Sequence, residues 1–271
     1  MSETLSFIDL NKTLGINDNP FLNYPDHRFF VPVVQEQMEA IRIVNNFLLR
    51  DTENGLIVFT VPGGWGKTTI AKQLVNSFTP GIERGADRGV YMDGNLLLNN
   101  RQFLIDLLEL LDVEGHRSNA QRLSNFYRYV DSLSRGLLLI IDNEPPDFEL
   151  IGPALYEFLD WSKSHNNKIK IGLFTRDLIE PAEYLGKLRE HLAHYQRFSG
   201  GTIPELVRLL VGRCKMAGVN DPAKLLFSEN QWIEFAEKGS PSIASVLRYA
   251  NTAFEQIIHE MKESQRHEFN F

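Results

Sequence analysis

Cysteine is nearly absent from this chain, an excess of positive charge is absent, and no apolar run is long. The single cysteine, Cys214, excludes an internal disulfide framework and any cysteine-based metal cluster. A reducing cytoplasm is the expected compartment. The longest unbroken aliphatic stretch, Leu137 to Ile141, is five residues. A membrane-spanning helix needs roughly 20. The polar opening MSETLSFIDLNKT is not a secretory leader, so no membrane partner is expected. A formal charge of −7 excludes a generally cationic nucleic-acid coat and leaves room only for a local basic stripe. What is present is core: 43% of the 271 residues are hydrophobic, enough for one large or two modest domains.

The chain is organised around LIVFTVPGGWGKTTIAKQL, Leu56 to Leu74. Leu56 to Phe59 read as a strand buried on both faces, and a helix is expected from Lys67-Thr68. Between them Val61, Pro62, Gly63, Gly64, Trp65 and Gly66 form a glycine turn. Glycines let successive backbone N–H groups converge on an anion, and the first turn of the following helix offers more. The pattern is close to G-x-x-x-x-G-K-[ST], with Val61 where the first glycine normally stands. The expectation is a phosphate-binding loop. Lys67 supplies charge for the outer phosphates, Thr68 is the expected magnesium ligand, Thr69 packs or caps, and Trp65 packs or covers a ligand.

Along the rest of the chain, residues 1–34 read as an N-terminal arm, 35–200 as an α/β core and 201–271 as a helical, lid-like subdomain. A helix from Gln35 to Arg50 is expected to bury Met38, Ile41, Val44, Phe47 and Leu48. Strands are expected at Gly89–Met92, Gly136–Glu144, Ile169–Phe174 and Tyr195–Phe198, with helices at Arg101–Leu111 and Asn119–Arg135. Alternating strands and helices imply a parallel sheet. The helices after Gly200-Gly201 are introduced by two capping boxes, Thr202 with Glu205 and Ser228 with Gln231, and by Ser240-Pro241. His191 and His194 are placed on one helix face, with no partner ligand nearby in sequence.

Gly136 to Glu144 is the second informative stretch, because five aliphatics end in Asp142 where a parallel strand reaches its ligand-binding edge. Asp142 is placed to hold the magnesium shell opposite Thr68. The next strand ends in Thr175-Arg176, bringing a hydroxyl and a cation to the same edge, and either is a candidate sensor of a terminal phosphate. The cofactors expected are ATP or ADP with Mg2+. Two basic groups, Arg117 with Arg122 and Arg128, and Lys163 with Lys168 and Lys170, are candidate contacts to duplex DNA.

Taken together, the NPF of Asn19 to Phe21, the segment RFFVPVVQEQMEAI, the glycine loop, LLLIIDNE, LFTRDL, RCKMAG and EKGSPSIASVL resemble the AAA+ P-loop ATPases, particularly the small ExeA, TnsC and TniB group. A second resemblance is to the STAND signalling ATPases, including the NB-ARC group, whose landmarks are similar to PGGWGKTTIAKQ, IIDN and Gly239-Ser240-Pro241. The AAA+ resemblance implies an ATPase whose nucleotide state controls homo-oligomerisation and partner binding, with regulation of DNA transposition or target choice as the favoured use. A signalling switch or secretion-machinery assembly are the alternatives. It also implies a catalytic carboxylate directly after Asp142, where this chain has Asn143, with Glu144 one residue late. Hydrolysis is therefore expected to be slow. An arginine acting on a neighbouring subunit's site is implied too, with Arg189 preferred over Arg197. The arginine often found after Gly-x-Pro is replaced by Ser242.

Overall fold

A computed structural model of the chain describes residues 19–22, 31–32, 35–49, 55–76, 87–94, 100–115, 118–143, 148–176, 185–219, 227–239 and 242–268. Its elements in order are α1 (Gln35–Leu49), β1 (Leu56–Val61), α2 (Lys67–Asn76), β2 (Arg88–Asp93), α3 (Asn100–Leu110), α4 (Asn119–Ser132), β3 (Leu137–Asn143), α5 (Phe148–Lys163), β4 (Ile169–Arg176), β5 (Leu192–Arg197), α6 (Ile203–Met216), α7 (Glu229–Gly239) and α8 (Ile243–Glu268). A 3₁₀ turn, Gly186–His191, leads into β5. The chain separates into an α/β unit, 39–63 with 67–199, and a helical unit that groups residues 1–38, 64–66 and 200–271.

The α/β unit is a five-stranded sheet in the order β2-β3-β4-β1-β5, and every pairing is parallel. Sequence composition explains the order of burial. The strands β1, LIVFTV, and β4, IKIGLFTR, are apolar almost throughout and lie in the interior of the sheet. The edge strands β2 and β5 carry polar residues and are partly exposed. On one face Leu56, Val58, Leu139, Ile141, Ile171 and Leu173 meet Phe103, Phe126 and Phe158 of the covering helices. On the other face Phe59 stacks on Phe174, with ring centroids 5.0 Å apart. Helix α2 packs across β2, β3 and β4.

The helical unit is built on α6, α7 and α8. The Glu205 carboxylate accepts from the Thr202 N–H at 2.8 Å and from the Thr202 hydroxyl at 2.9 Å, as the box spacing implies. Ser228 and Gln231 bond reciprocally at 2.8 and 3.3 Å, while Ser240-Pro241 lies outside the described residues. Phe21 is the aromatic centre of this unit, with its ring centroid 5.6 Å from Phe254, 6.0 Å from Trp232 and 6.2 Å from Phe227. Loop residues 64–66 also group here. The Ala244 N–H donates to the Gly64 carbonyl at 3.0 Å, and Gln37 Nε2 donates to the Trp65 carbonyl at 3.1 Å.

Several local expectations are corrected. Val44 and Phe47 of α1 are buried as expected, but Met38 is 47% exposed, and in the first half of the helix the buried positions are Gln37 and Ala40, each one residue before the expected Met38 and Ile41. His191 closes the 3₁₀ turn and His194 lies in β5, so they share no helix face. Helix α4 ends at Ser132, and the last strand begins at Leu192. Both basic groups are broken by burial. Arg122 is 8% exposed and donates to Asn119 Oδ1 at 2.9 Å, and Lys170 is 6% exposed and donates to the Phe47 carbonyl at 2.9 Å. Long cationic side chains here reach backbone and amide oxygens rather than solvent. Arg117 lies outside the described residues.

Candidate functional site

The site begins where β1 ends. Val61, in the position of the missing glycine, is fully buried as the last residue of the strand, so the chain turns only after Pro62. Gly64 and Gly66 have φ of 80° and 83°, a region that favours glycine, and α2 starts immediately after them at Lys67. Thr68 and Thr69 follow in its first turn. Trp65 is 5% exposed and packs on Gly200, where an added Cβ would lie 2.8 Å from the indole.

Asp142 sits at the C-terminal end of β3 and is 2% exposed. Its Oδ1 pairs with the Lys67 ammonium. Its Oδ2 accepts from the Thr68 hydroxyl at 2.5 Å and from the Tyr91 hydroxyl at 3.4 Å. Sheet order closes the long sequence separation: β4 lies between β1 and β3, and α2, leaving β1, crosses over to pack on β3. The alternation of side chains along β3 presents Asp142 to the α2 face. Burial, followed by the Asp142 and Asp93 carboxylates, pushes the Tyr91 phenol well above its ordinary range, so it stays a donor. Lys72, one turn after Thr68, lies over the Tyr91 ring at 5.3 Å from its centre.

One residue further along, Thr175 of β4 is level with Thr60 of β1 and Asn143 of β3, and it is fully buried. Arg176 is exposed, with Nε 3.9 Å from the position of a Cβ on Gly63. The structure therefore brings Lys67, Thr68, Asp142, Thr175 and Arg176 to one edge of the sheet. Asn143 ends β3 there, and Glu144 lies outside the described residues. Arg189 is not brought to this edge. It is exposed in the 3₁₀ turn before β5, whose first residue Leu192 pairs with Leu56 at the start of β1, whereas Arg197 at the far end of β5 is level with Thr60. Sequence reasoning passed over Tyr91 and Lys72. A period-two pattern in VYMD and the i, i+4 spacing of Thr68 and Lys72 were the only local signals.

The donor set fits a hard dication: a hydroxyl and a carboxylate oxygen face each other, with neither thiolate nor imidazole among them. The turn with two positive-φ glycines followed by a helix N-terminus fits phosphate oxygens.

No protein-family model matches the chain, and no curated relative matches it. Among solved structures, Cdc6p from Pyrobaculum aerophilum is similar at 18% identity and a TM-score of 0.62, over 89% of this chain and 66% of that one. The Aeropyrum pernix ORC2 protein, solved as ADPNP-ADP complexes, is similar at 18% identity and a TM-score of 0.64, over 92% and 68%. The Aeropyrum pernix ORC1 protein in complex with DNA is similar at 14% identity and a TM-score of 0.59, over 89% and 64%. The chain thus spans about two thirds of the length of each. With the all-parallel β2-β3-β4-β1-β5 sheet and the loop-to-helix turn after β1, these likenesses show the fold alone, a parallel-sheet α/β core of the AAA+-like P-loop kind with a helical subdomain.

Proposed function

We propose that this chain is a magnesium-dependent ATP-binding protein with slow ATPase activity, whose nucleotide state controls self-assembly and partner binding. The observation that carries the reading is the convergence of Lys67 and Thr68 on Asp142 across 75 and 74 residues of sequence. Bound ATP with Mg2+ supplies the transferable phosphoryl group. Lys67 and backbone N–H groups of Gly63 to Thr69 would hold its phosphate oxygens, and Thr68 and Asp142 would hold the metal. Thr175 or Arg176 reports the terminal phosphate. Asn143 cannot take a proton from water at neutral pH, which leaves Glu144 as the base and makes turnover slow. Arg189, remote from its own chain's cluster, serves a neighbouring subunit in an ATP-dependent homo-oligomer.

The DNA side of the proposal is supported by the Aeropyrum ORC1 complex with DNA, and the favoured use, regulation of transposition or target choice, by the resemblance to the TnsC and TniB group. Weak, sequence-independent duplex binding is expected only in the ATP-bound oligomer, where one modest contact per subunit is multiplied by avidity.

Calorimetry with ATP and Mg2+ tests the central assignment. Lys67→Ala should weaken binding by about 100-fold or more, in line with loss of a charge-assisted contact to phosphate. Unchanged affinity would overturn it. Sedimentation with a non-hydrolysable analogue tests assembly, and a strict monomer at high concentration removes the trans role of Arg189. Filter binding at two salt concentrations tests DNA: no ATP-dependent retention at low salt, with ADP found in the purified protein, favours the signalling switch.

A further inference from the structure

We infer that Tyr91 is a positioning residue for the magnesium site, holding the Asp142 carboxylate in place while its other partners are exchanged. This rests on the nucleotide-binding reading above. Among the described residues Asp142 has three hydrogen-bond partners: Lys67 on Oδ1, and Thr68 and Tyr91 sharing Oδ2. Lys67 and Thr68 are neighbours on α2, and both are assigned to the ligand when it binds. Their bonds to Asp142 must then be given up or shared. Tyr91 belongs to a different element, β2, whose register with β3 places Asp93 beside Asp142 and Tyr91 beside Ile140.

Two features suit Tyr91 to this task. Its hydroxyl reaches Asp142 Oδ2 from a strand that carries none of the residues assigned to the ligand, so nucleotide binding leaves this bond in place. Its ring is covered by Lys72, which stands one helical turn after Thr68 and so fixes the ring relative to the helix that carries the metal-binding hydroxyl. A carboxylate that loses its donors becomes free to rotate, and a metal bound through it then has to order it first. With the phenol in place the rotamer survives the exchange. Asp93 contributes negative charge beside the site, which strengthens the case for a fixed donor: two adjacent carboxylates repel, and the hydroxyl holds one of them facing α2.

The test is nucleotide binding, followed by calorimetry or by a fluorescent ATP analogue, as Mg2+ is titrated. The full chain is used as wild type, Tyr91→Phe and Lys72→Met. Tyr91→Phe keeps the ring and removes only the hydroxyl. The Mg2+ concentration for half-maximal binding should rise roughly 10-fold, the lower end of what loss of an outer-shell partner costs a metal site. Binding of nucleotide measured in chelator should be unchanged. Lys72→Met should move the midpoint in the same direction by a smaller factor, roughly 2- to 3-fold, because it loosens the ring without removing the donor. An unchanged Mg2+ midpoint in Tyr91→Phe, with wild type showing a clear Mg2+ dependence, overturns this inference and leaves ATP binding standing. Equal losses with and without Mg2+ assign Tyr91 a general packing role and overturn it as well. Failure of wild type to bind nucleotide at all overturns both readings.

Discussion

Two buried polar networks, one in each unit, are built on opposite terms. In the α/β unit the Asp142 carboxylate is bonded by side chains, those of Lys67, Thr68 and Tyr91. In the helical unit Glu205 and Arg213 bond mainly to backbone. Glu205 accepts from the Gln35 N–H at 3.0 Å and the Thr202 N–H at 2.8 Å, and Arg213 donates to the carbonyls of Pro20 at 2.6 Å and Leu22 at 2.7 Å. A side chain changes partners by changing rotamer, whereas a backbone group leaves only when the chain itself moves. The first network is suited to exchange and the second to holding segments together. Arg213 and the ring of Phe21 together fasten residues 20–22 to the helices that follow residue 200.

The sharpest break in this contrast is Phe21→Ala, which removes a ring only 1% exposed and packed against three aromatic neighbours. A loss of about 3–5 kcal/mol is expected from the helical unit, read by denaturant unfolding or by hydrogen exchange in α6 to α8. A change below about 1 kcal/mol would mean that the ring anchors nothing.

Arg213→Met comes next, at about 2–4 kcal/mol, since two charge-assisted bonds to buried carbonyls are lost together. Arg213→Lys should recover less than half of this, because an ammonium lacks the planar fork that spans two carbonyls. Full recovery by lysine would show that charge alone matters.

On the exchangeable side, Asp142→Asn should cost about 1–2 kcal/mol of folding stability, less than Arg213→Met, as the amide oxygen still accepts from Thr68 while its NH2 cannot accept from the Lys67 ammonium, which must turn toward solvent. The same change should abolish the Mg2+ dependence of nucleotide binding. A loss of stability as large as that of Arg213→Met would erase the distinction between the networks.

The smallest effect is one of pH. Burial raises the Glu205 carboxyl, but the Thr202 and Gln35 N–H groups, the Thr202 hydroxyl and Arg208 outweigh it, and the net shift is downward from 4.5. A depressed carboxyl contributes stability that is present above the unfolded value and is lost as pH falls through the folded one. Wild type should therefore lose helical-unit stability below about pH 4.5, and Glu205→Gln should lose less over that range. Parallel acid curves for the two proteins would remove Glu205 from the network.

Much of this was legible in the chain. The strand-turn-helix at Leu56 to Leu74 is marked by local signals, an apolar run, glycines and Lys-Thr, and Asp142 by the end of an aliphatic run. The capping boxes are equally local. Less legible was which stripe of α1 is buried, because Gln37 and Met38 stand one residue apart and either phase fits a period of 3.6. Gln37 took the interior place because its amide reaches the Trp65 carbonyl. Lys170 and Arg122 look like surface charge in sequence; Lys170 reaches the Phe47 carbonyl, which a linear reading does not bring near, whereas Arg122 is buried by packing while it bonds to Asn119 one helical turn back.

By itself, then, the sequence determined the alternation of strands and helices, the glycine loop between β1 and α2 and the types of residue at its edge, since each follows from patterns within a few residues. Sheet order was decided only in three dimensions. Placing β4 between β1 and β3 sets Thr175 level with Asn143, and pairing β2 with β3 brings Tyr91 within reach of Asp142. Neighbours across a parallel sheet are joined through crossovers of a dozen residues or more, and which strand ends beside which depends on how all the covering helices pack at once. No local pattern carries that information, and so the partner of Asp142 that lies outside the loop and its helix became visible only in the folded chain.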